Sequence, residues 1–469
     1  MNYVFIILGV DSFYESTILS KLIQEIPDES GIVCLAGELP YLYLTDNERL
    51  LKVLLKGSEE ENKATFDDIL NEGQISAIFI LDFHKTFFTK YYNHDYGIIP
   101  FNLKWLEDIN IPINVIDPLD TLSYNEENKI YLKNSADYNV EDDILDEDAE
   151  INTEDTFKGI NKDGDQVDVK PLEDESTYVA SDMVSKFNFY PNIVKLCPPC
   201  IPSSNENSKF IYLDFAYTHE VNQYIDQMKA PLGISDEKKN VLLIFSYQMM
   251  MNSVVQNNLS HYMRVISTLV IYLKKLDIPI NLFIIGADSS LAQHEMFRGS
   301  KISFRAFKNP NHNLYKTLIT YANVLITDTT WHPSLIDGAK LNIPAGVIGN
   351  SARFNEEGVM EASFESTDPE VFKILEKAVK EAPQTLFPFT CYPLKEKEIP
   401  DFTYYDEIYP YYLLDIYSDE STLSFLGEFL VSEEEEVLDN LKDYQEVYFE
   451  RANGAINTLE MLMMFEKFN

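Results

Sequence analysis

Four runs in the first third of the chain are apolar almost from end to end: YVFIILG (Tyr3–Gly9), GIVCLAG (Gly31–Gly37), ISAIFILDF (Ile75–Phe83) and IPINVIDP (Ile111–Pro118). A strand with one face in water alternates apolar and polar residues, so runs without that alternation are buried on both faces. Stretches with helical spacing separate them: SFYESTILSKLIQEI (Ser12–Ile26), NERLLKVLLKG (Asn47–Gly57) and FNLKWLEDIN (Phe101–Asn110). Buried strands that alternate with helices predict a parallel sheet covered on both sides. The pattern returns at NVLLIFS (Asn240–Ser246), INLFIIGA (Ile280–Ala287), KISFRAF (Lys301–Phe307), NVLITDT (Asn323–Thr329) and AGVIGN (Ala345–Asn350).

At 469 residues the chain is too long for one ordinary core, and two such units are expected. The boundaries read from composition are 1–200 for an N-terminal domain, 201–235 for a linker, 236–425 for a C-terminal domain and 426–469 for closing helices. The Pro-, Ser- and Asn-rich stretch Pro191–Lys209 opens the linker. Glu141–Glu175 carries fifteen acidic residues against three lysines. It lies in an insertion of the first domain, about 138–179, which lacks periodicity.

Charge narrows the partners. With 37 basic and 77 acidic residues the net charge is −40, which repels nucleic acid and anionic membrane surfaces. No segment has the apolar length of a membrane span. The first residues read as a buried strand rather than a signal peptide. Four cysteines are few for a secreted chain of this size, and a cytoplasmic location is expected. The CPPC run (Cys197–Cys200) reads as a rigid linker entry, and NKDGDQVDVK (Asn161–Lys170) has Lys170 where a calcium loop needs a glutamate. The aromatic run Tyr404–Tyr417 suits sugar stacking or domain packing.

The stretch TDTTWHPSLIDGAKLNIPAG (Thr327–Gly346) reads as a strand end, a sharp turn, a short helix and a second turn. Pro333 suits a first helical turn, where its missing N–H costs nothing. The N–H groups of Ser334 and Leu335, with the helix dipole, are expected to form an anion site to which Ser334 adds a hydroxyl. Asp337 shares their face one turn deeper, where a carboxylate suits ribose hydroxyls.

The spacing Ser334, Asp337, Pro344 resembles the (S/T)xxEA…GxP signature of the C-terminal domain in GT-B glycosyltransferases. LYKTLITYANVLITDT (Leu314–Thr329) is similar to the helix and strand that precede it there. Asp337 stands for the usual glutamate, Asn342 for a glycine, and Thr329-Thr330-Trp331-His332 for a Gly-Gly turn. The resemblance implies an α/β fold: two Rossmann-like β/α/β domains facing a cleft, with C-terminal helices crossing back to the first. It implies a nucleotide-diphosphate sugar as donor, a UDP-sugar being favoured, and no required cofactor or metal. Donor-site residues by the same likeness are Ser246, Gly286, Phe307, His332, Ser334, Leu335 and Asp337. Phe245 and Ser246 would approach the phosphates, Gly286 the nucleotide, Ala306 and Phe307 the base, and Lys308 or Arg264 would offset charge.

The acceptor, a small molecule, peptide or protein, falls to the first domain, whose loop GVDSFYES (Gly9–Ser16) faces the cleft. Asp11 or Glu15 is a candidate general base there, although Asp11 equally suits a helix cap. His84 is the other catalytic candidate, since a histidine titrates near neutrality. Sugar transfer with inversion is the expected reaction. A sugar-nucleotide epimerase and a non-catalytic GT-B-like binding or regulatory subunit are the alternatives, and a homo-oligomer is left open.

Overall fold

The computed structural model describes residues 2–9, 13–44, 47–83, 99–117, 122–124, 130–132, 157–160, 166–169, 189–197, 210–214, 223–245, 260–287, 300–308, 310, 312–328, 332, 334–349, 353–354, 360–361, 367–381, 411–432, 437 and 441–467. The first unit runs β1 (Asn2–Ile7), α1 (Phe13–Glu25), β2 (Gly31–Ala36), α2 (Glu38–Tyr43), β3 (Leu50–Leu54), α3 (Glu59–Glu72), β4 (Ile75–Ile80) and β5 (Ile113–Asp117). A hairpin, β6 (Leu122–Tyr124) and β7 (Ile130–Leu132), follows. Then come β8 (Phe157–Ile160), β9 (Gln166–Val169), β10 (Asn192–Cys197) and β11 (Phe210–Asp214). Seven of these strands form one sheet in the order β11-β10-β5-β4-β1-β2-β3, and every pair in it is parallel.

The unbroken apolar runs have the expected cause. Successive side chains of a strand point to opposite faces. Tyr3, Phe5 and Ile7 of β1 pack with Ile18, Leu19 and Leu22 of α1. Val4 and Ile6 pack on the other face with Phe66 of α3. Each fully buried side chain of this size contributes about 1.5–3 kcal/mol.

Two local expectations are corrected. Asn47–Gly57, read as a helix, holds strand β3 instead, paired with β2 from Ile32↔Leu50 to Ala36↔Leu54. Leucine and lysine favour helix, but the short α2 already makes the crossover, and Leu50 completes the core beside β2. Pro191–Lys209, read as the linker's opening, begins with β10, whose Ile193, Val194 and Leu196 are buried between β5 and β11. Strand β11 in turn lies within 201–235 and pairs in the same sheet. Pro198, Pro199, Cys200 and Pro202 fall outside the described residues.

The second unit runs α4 (Gln223–Leu232), β12 (Lys239–Ile244), α5 (Ser260–Lys275), β13 (Ile280–Ile285), β14 (Ile302–Phe307), α6 (His312–Thr320), β15 (Val324–Thr327), α7 (Ser334–Leu341) and β16 (Ala345–Gly349). After it come β17 (Arg353–Phe354), β18 (Met360–Glu361), α8 (Pro369–Glu381), β19 (Tyr412–Asp415) and α9 (Ser424–Val431). Its sheet has six parallel strands in the order β14-β13-β12-β15-β16-β19. Of the aromatic run, Tyr411 and Tyr417 are buried, and Tyr412 packs against Phe425 and Phe429 of α9.

Among the described residues the units are joined in more than one place. Helices α10 (Lys442–Ala452) and α11 (Thr458–Lys467) cross back to the first domain. Ile456 between them donates its N–H to Tyr212 O (2.8 Å) and accepts from Asp214 N (2.9 Å), beside β11. Met461 and Leu462 enter the core around α1. The acidic insertion makes another connection: β8 pairs antiparallel with β9 and with β18, giving a four-stranded sheet β17-β18-β8-β9 built from both halves. No described helix is long and apolar enough to cross a membrane.

Candidate functional site

Both sheets place their earliest strand in the interior, so each has a switch point where the chain changes direction across the sheet. In the second unit β13 and β14 lie on one side of β12 while β15, β16 and β19 lie on the other. Ligands of doubly wound sheets bind at such points, beyond the carboxyl ends of the strands. Strands β12, β13 and β14 end there in register. Phe245 N–H donates to Ile285 O (2.9 Å), and Gly286 N–H donates to Phe307 O (2.9 Å). Gly286 has φ +86°, and a Cβ there would sit 2.5 Å from the Phe245 carbonyl oxygen. Only glycine fits, because the buried Gly286 main chain lies directly against that of Phe245 at the strand ends. Phe307 is half-buried beside it, and Lys308 is exposed.

Across the switch point, β15 ends at the buried Thr327 and Asp328. His332 then governs the start of α7. Its Nδ1 accepts from Ser334 N–H (3.2 Å) and lies 2.7 Å from Ser334 Oγ, while its carbonyl accepts from Leu335 N–H (3.0 Å). A main-chain amide can only donate, so Nδ1 is the acceptor and the ring proton sits on Nε2. Burial, and then the charge of Lys21, lower the His332 pKa to about 3, so the ring is neutral. The two amides expected to face an anion are therefore both engaged by His332, and the Ser334 side chain is fully buried.

Asp337 lies one turn deeper with no exposed surface. Tyr315 Oη of α6 donates to its Oδ2 (2.9 Å), and Lys21 of α1, from the first domain, forms a salt bridge with its Oδ1. Lys21 is only 4% exposed. Burial lowers its pKa while the Asp337 carboxylate raises it. Ile336 and Ala339 of α7 pack into the first domain's core with Tyr448 of α10. Both carboxylate oxygens thus have protein partners in this conformation.

Of the sequence candidates, the structure brings Gly286, Phe307, His332, Ser334, Leu335 and Asp337 to the second switch point. Asp11, His84 and Ser246 lie outside the described residues, as do Thr329–Trp331 and Pro333. Glu15 is buried in the first turn of α1. Arg264 lies on α5 near Tyr417, whose hydroxyl pKa burial pushes up to about 12 against the pull of that guanidinium. Sequence reasoning missed Lys21 and Tyr315. Lys21 carries no motif and meets Asp337 across 316 positions of sequence.

Two parallel Rossmann-like sheets tied by returning C-terminal helices define a two-domain α/β chain of GT-B architecture, with its candidate site at the second switch point. Residues 164–464 match the model of a family of unknown function (DUF6365), and the chain belongs to that family. No curated protein matches the sequence. Among solved structures it is similar to the spinosyn forosaminyltransferase SpnP (TM-score 0.49, 9% identity, 100% of this chain and 99% of that one). It is also similar to Phytolacca americana UGT2 complexed with UDP-2fluoro-glucose and pterostilbene (0.48, 8%, 99% and 98%). The UDP-GlcNAc 2-epimerase of Methanocaldococcus jannaschii is a third (0.37, 8%, 95% and 98%).

Proposed function

We propose that the second domain binds a nucleoside-diphosphate sugar at its switch point and that the chain transfers the sugar to an acceptor held by the first domain. The observation that carries this reading is the switch point itself, where β12, β13 and β14 end in register at Phe245, the positive-φ Gly286 and the half-buried Phe307. Nucleotides bind doubly wound sheets at such a point, beyond the carboxyl ends of the strands. A UDP-sugar is the favoured donor, and transfer with inversion the favoured course. A diphosphate reaches the Ser334 and Leu335 amides only when His332 releases them, and the helix dipole would then stabilise the leaving group. Asp11, Glu15 and His84 stay as candidate bases on the acceptor side.

One observation favours a second reading, a non-catalytic binding subunit: the α7 end is capped by His332 and its carboxylate is held by Lys21 and Tyr315. Thermal shift of the whole chain against UDP-, GDP- and dTDP-sugars separates the two. Stabilisation by one nucleotide class, lost in Gly286→Val, is expected. Stabilisation without hydrolysis or transfer of the sugar supports the binding subunit, and no stabilisation by any nucleotide sinks both.

A further inference from the structure

We propose that Lys21 and Asp337 form an interdomain lock, which holds α1 against α7 and must part before a ligand reaches the start of α7. The opening itself does not depend on the nucleotide reading; the ligand access does.

The pair crosses from one domain to the other, and both groups are almost fully withdrawn from water. Taking two ions out of water offsets most of their attraction, so a buried pair adds little net affinity between the surfaces it joins. Its effect is on register: the docked arrangement tolerates both charges together and neither alone. Parting the domains rehydrates both ions at once, so the pair opens and closes as a unit. Ile336 and Ala339 are the apolar side chains that α7 contributes to the first domain's core. Tyr315, which holds the second carboxylate oxygen, belongs to the second domain and stays with Asp337 when the domains separate.

The lock also explains why α7 is capped from within. While α7 is docked, His332 holds the Ser334 and Leu335 amides and lies near enough to Lys21 for that charge to lower its pKa. Withdrawal of Lys21 removes that charge from beside the ring and exposes the end of α7 to water.

Hydrogen exchange of the free full-length chain tests the opening. In Lys21→Met the Asp337 carboxylate loses its cation, and amide exchange in α1 and α7 is expected to rise about tenfold or more. Exchange in β1 and β12, in the interior of the two sheets, stays as in the native chain. The double variant Lys21→Met/Asp337→Leu buries no charge and is expected to exchange in α1 and α7 no faster than the native chain. Unchanged α1 and α7 exchange in Lys21→Met overturns the lock, and so does a rise spread equally over β1 and β12. Should Lys21→Met not fold, Asp337→Asn gives the same contrast, because its amide keeps the Tyr315 bond and removes the carboxylate charge from beside Lys21. The second arm measures the UDP association rate, which is expected to rise in Lys21→Met. Exchange behaviour as proposed, with no binding of UDP, GDP or dTDP in any variant, would leave the lock standing and remove the nucleotide reading alone.

Discussion

The two domains share one strand order but treat their switch points differently. In the first, between β1 and β4, the carboxylate of Asp82 accepts from Leu8 N–H (2.8 Å) and Gly9 N–H (2.7 Å) and is completely buried. In the second, a neutral imidazole holds the amides that open α7, after β15. An internal carboxylate places a negative charge where an anionic ligand would sit, and its charge-assisted bonds are about twice as strong as neutral ones. A neutral ring places none, and its bonds are exchangeable. Of these two caps, the neutral one at α7 is the easier to exchange for a phosphate, as the proposed donor site requires.

The comparison breaks most visibly at Asp82. Asp82→Ala leaves the Leu8 and Gly9 amides buried without their acceptor, and a loss of roughly 3–5 kcal/mol is expected from two charge-assisted bonds. Denaturant midpoints measure it. A loss within error of a surface substitution would show that the carboxylate is not what organises the first switch point. Gly286→Ala acts on the other domain. The positive φ together with contact at the Phe245 carbonyl is expected to cost about 2–3 kcal/mol, and nucleotide-dependent stabilisation should disappear with it.

The pH response separates the two caps without removing either. The His332 pKa falls from its ordinary value of 6.5 to about 3 in the folded chain. Between those values the unfolded chain binds a proton that the folded chain does not, so stability is lost as pH falls through 6.5 towards 3. From pH 7 to pH 5 this amounts to about 2 kcal/mol. His332→Asn, which keeps an acceptor near the Nδ1 position and does not titrate, should lack that part of the slope. An identical slope in both chains would mean that the ring is not held neutral. Acidic residues elsewhere contribute equally to both chains and cancel in the difference.

How much of this was legible depends on the range of the interaction. Tyr3–Gly9 and Asn240–Ser246 announced parallel strands because burial on both faces leaves a local mark on every residue. Gly286 and Ser334 could be placed at a mouth because strand ends and helix starts are also local. Lys21 could not. Its neighbours Ile18, Leu19, Leu22 and Ile23 define the core face of α1, and a lysine outside that face reads as solvated. Its partner is visible only once the two domains meet. The strand at Leu50–Leu54 was hidden for a related reason, since its place beside β2 outweighed the helix preference of leucine and lysine. Asp82 sits at the end of an apolar run like any turn residue, and nothing nearby marks it as the ligand of amides 73 and 74 positions away.

The smallest expected effect is also the sharpest probe of the second cap. Ser334 Oγ meets the same Nδ1 that accepts from the Ser334 amide, so one lone pair serves two donors and neither bond is at full strength. Ser334→Ala leaves the amide bond in place and removes only the hydroxyl, in a position with no water access. A net cost of about 1 kcal/mol is expected, within the range for a single neutral hydrogen bond. The His332 pKa should rise little, because burial and Lys21, not the hydroxyl, depress it. Thermal scans at pH 7 and pH 5 read both quantities in one variant. If Ser334→Ala costs several kcal/mol, or flattens the pH slope as His332→Asn does, the hydroxyl and not the ring is the true cap, and the contrast with Asp82 would have to be redrawn around a serine.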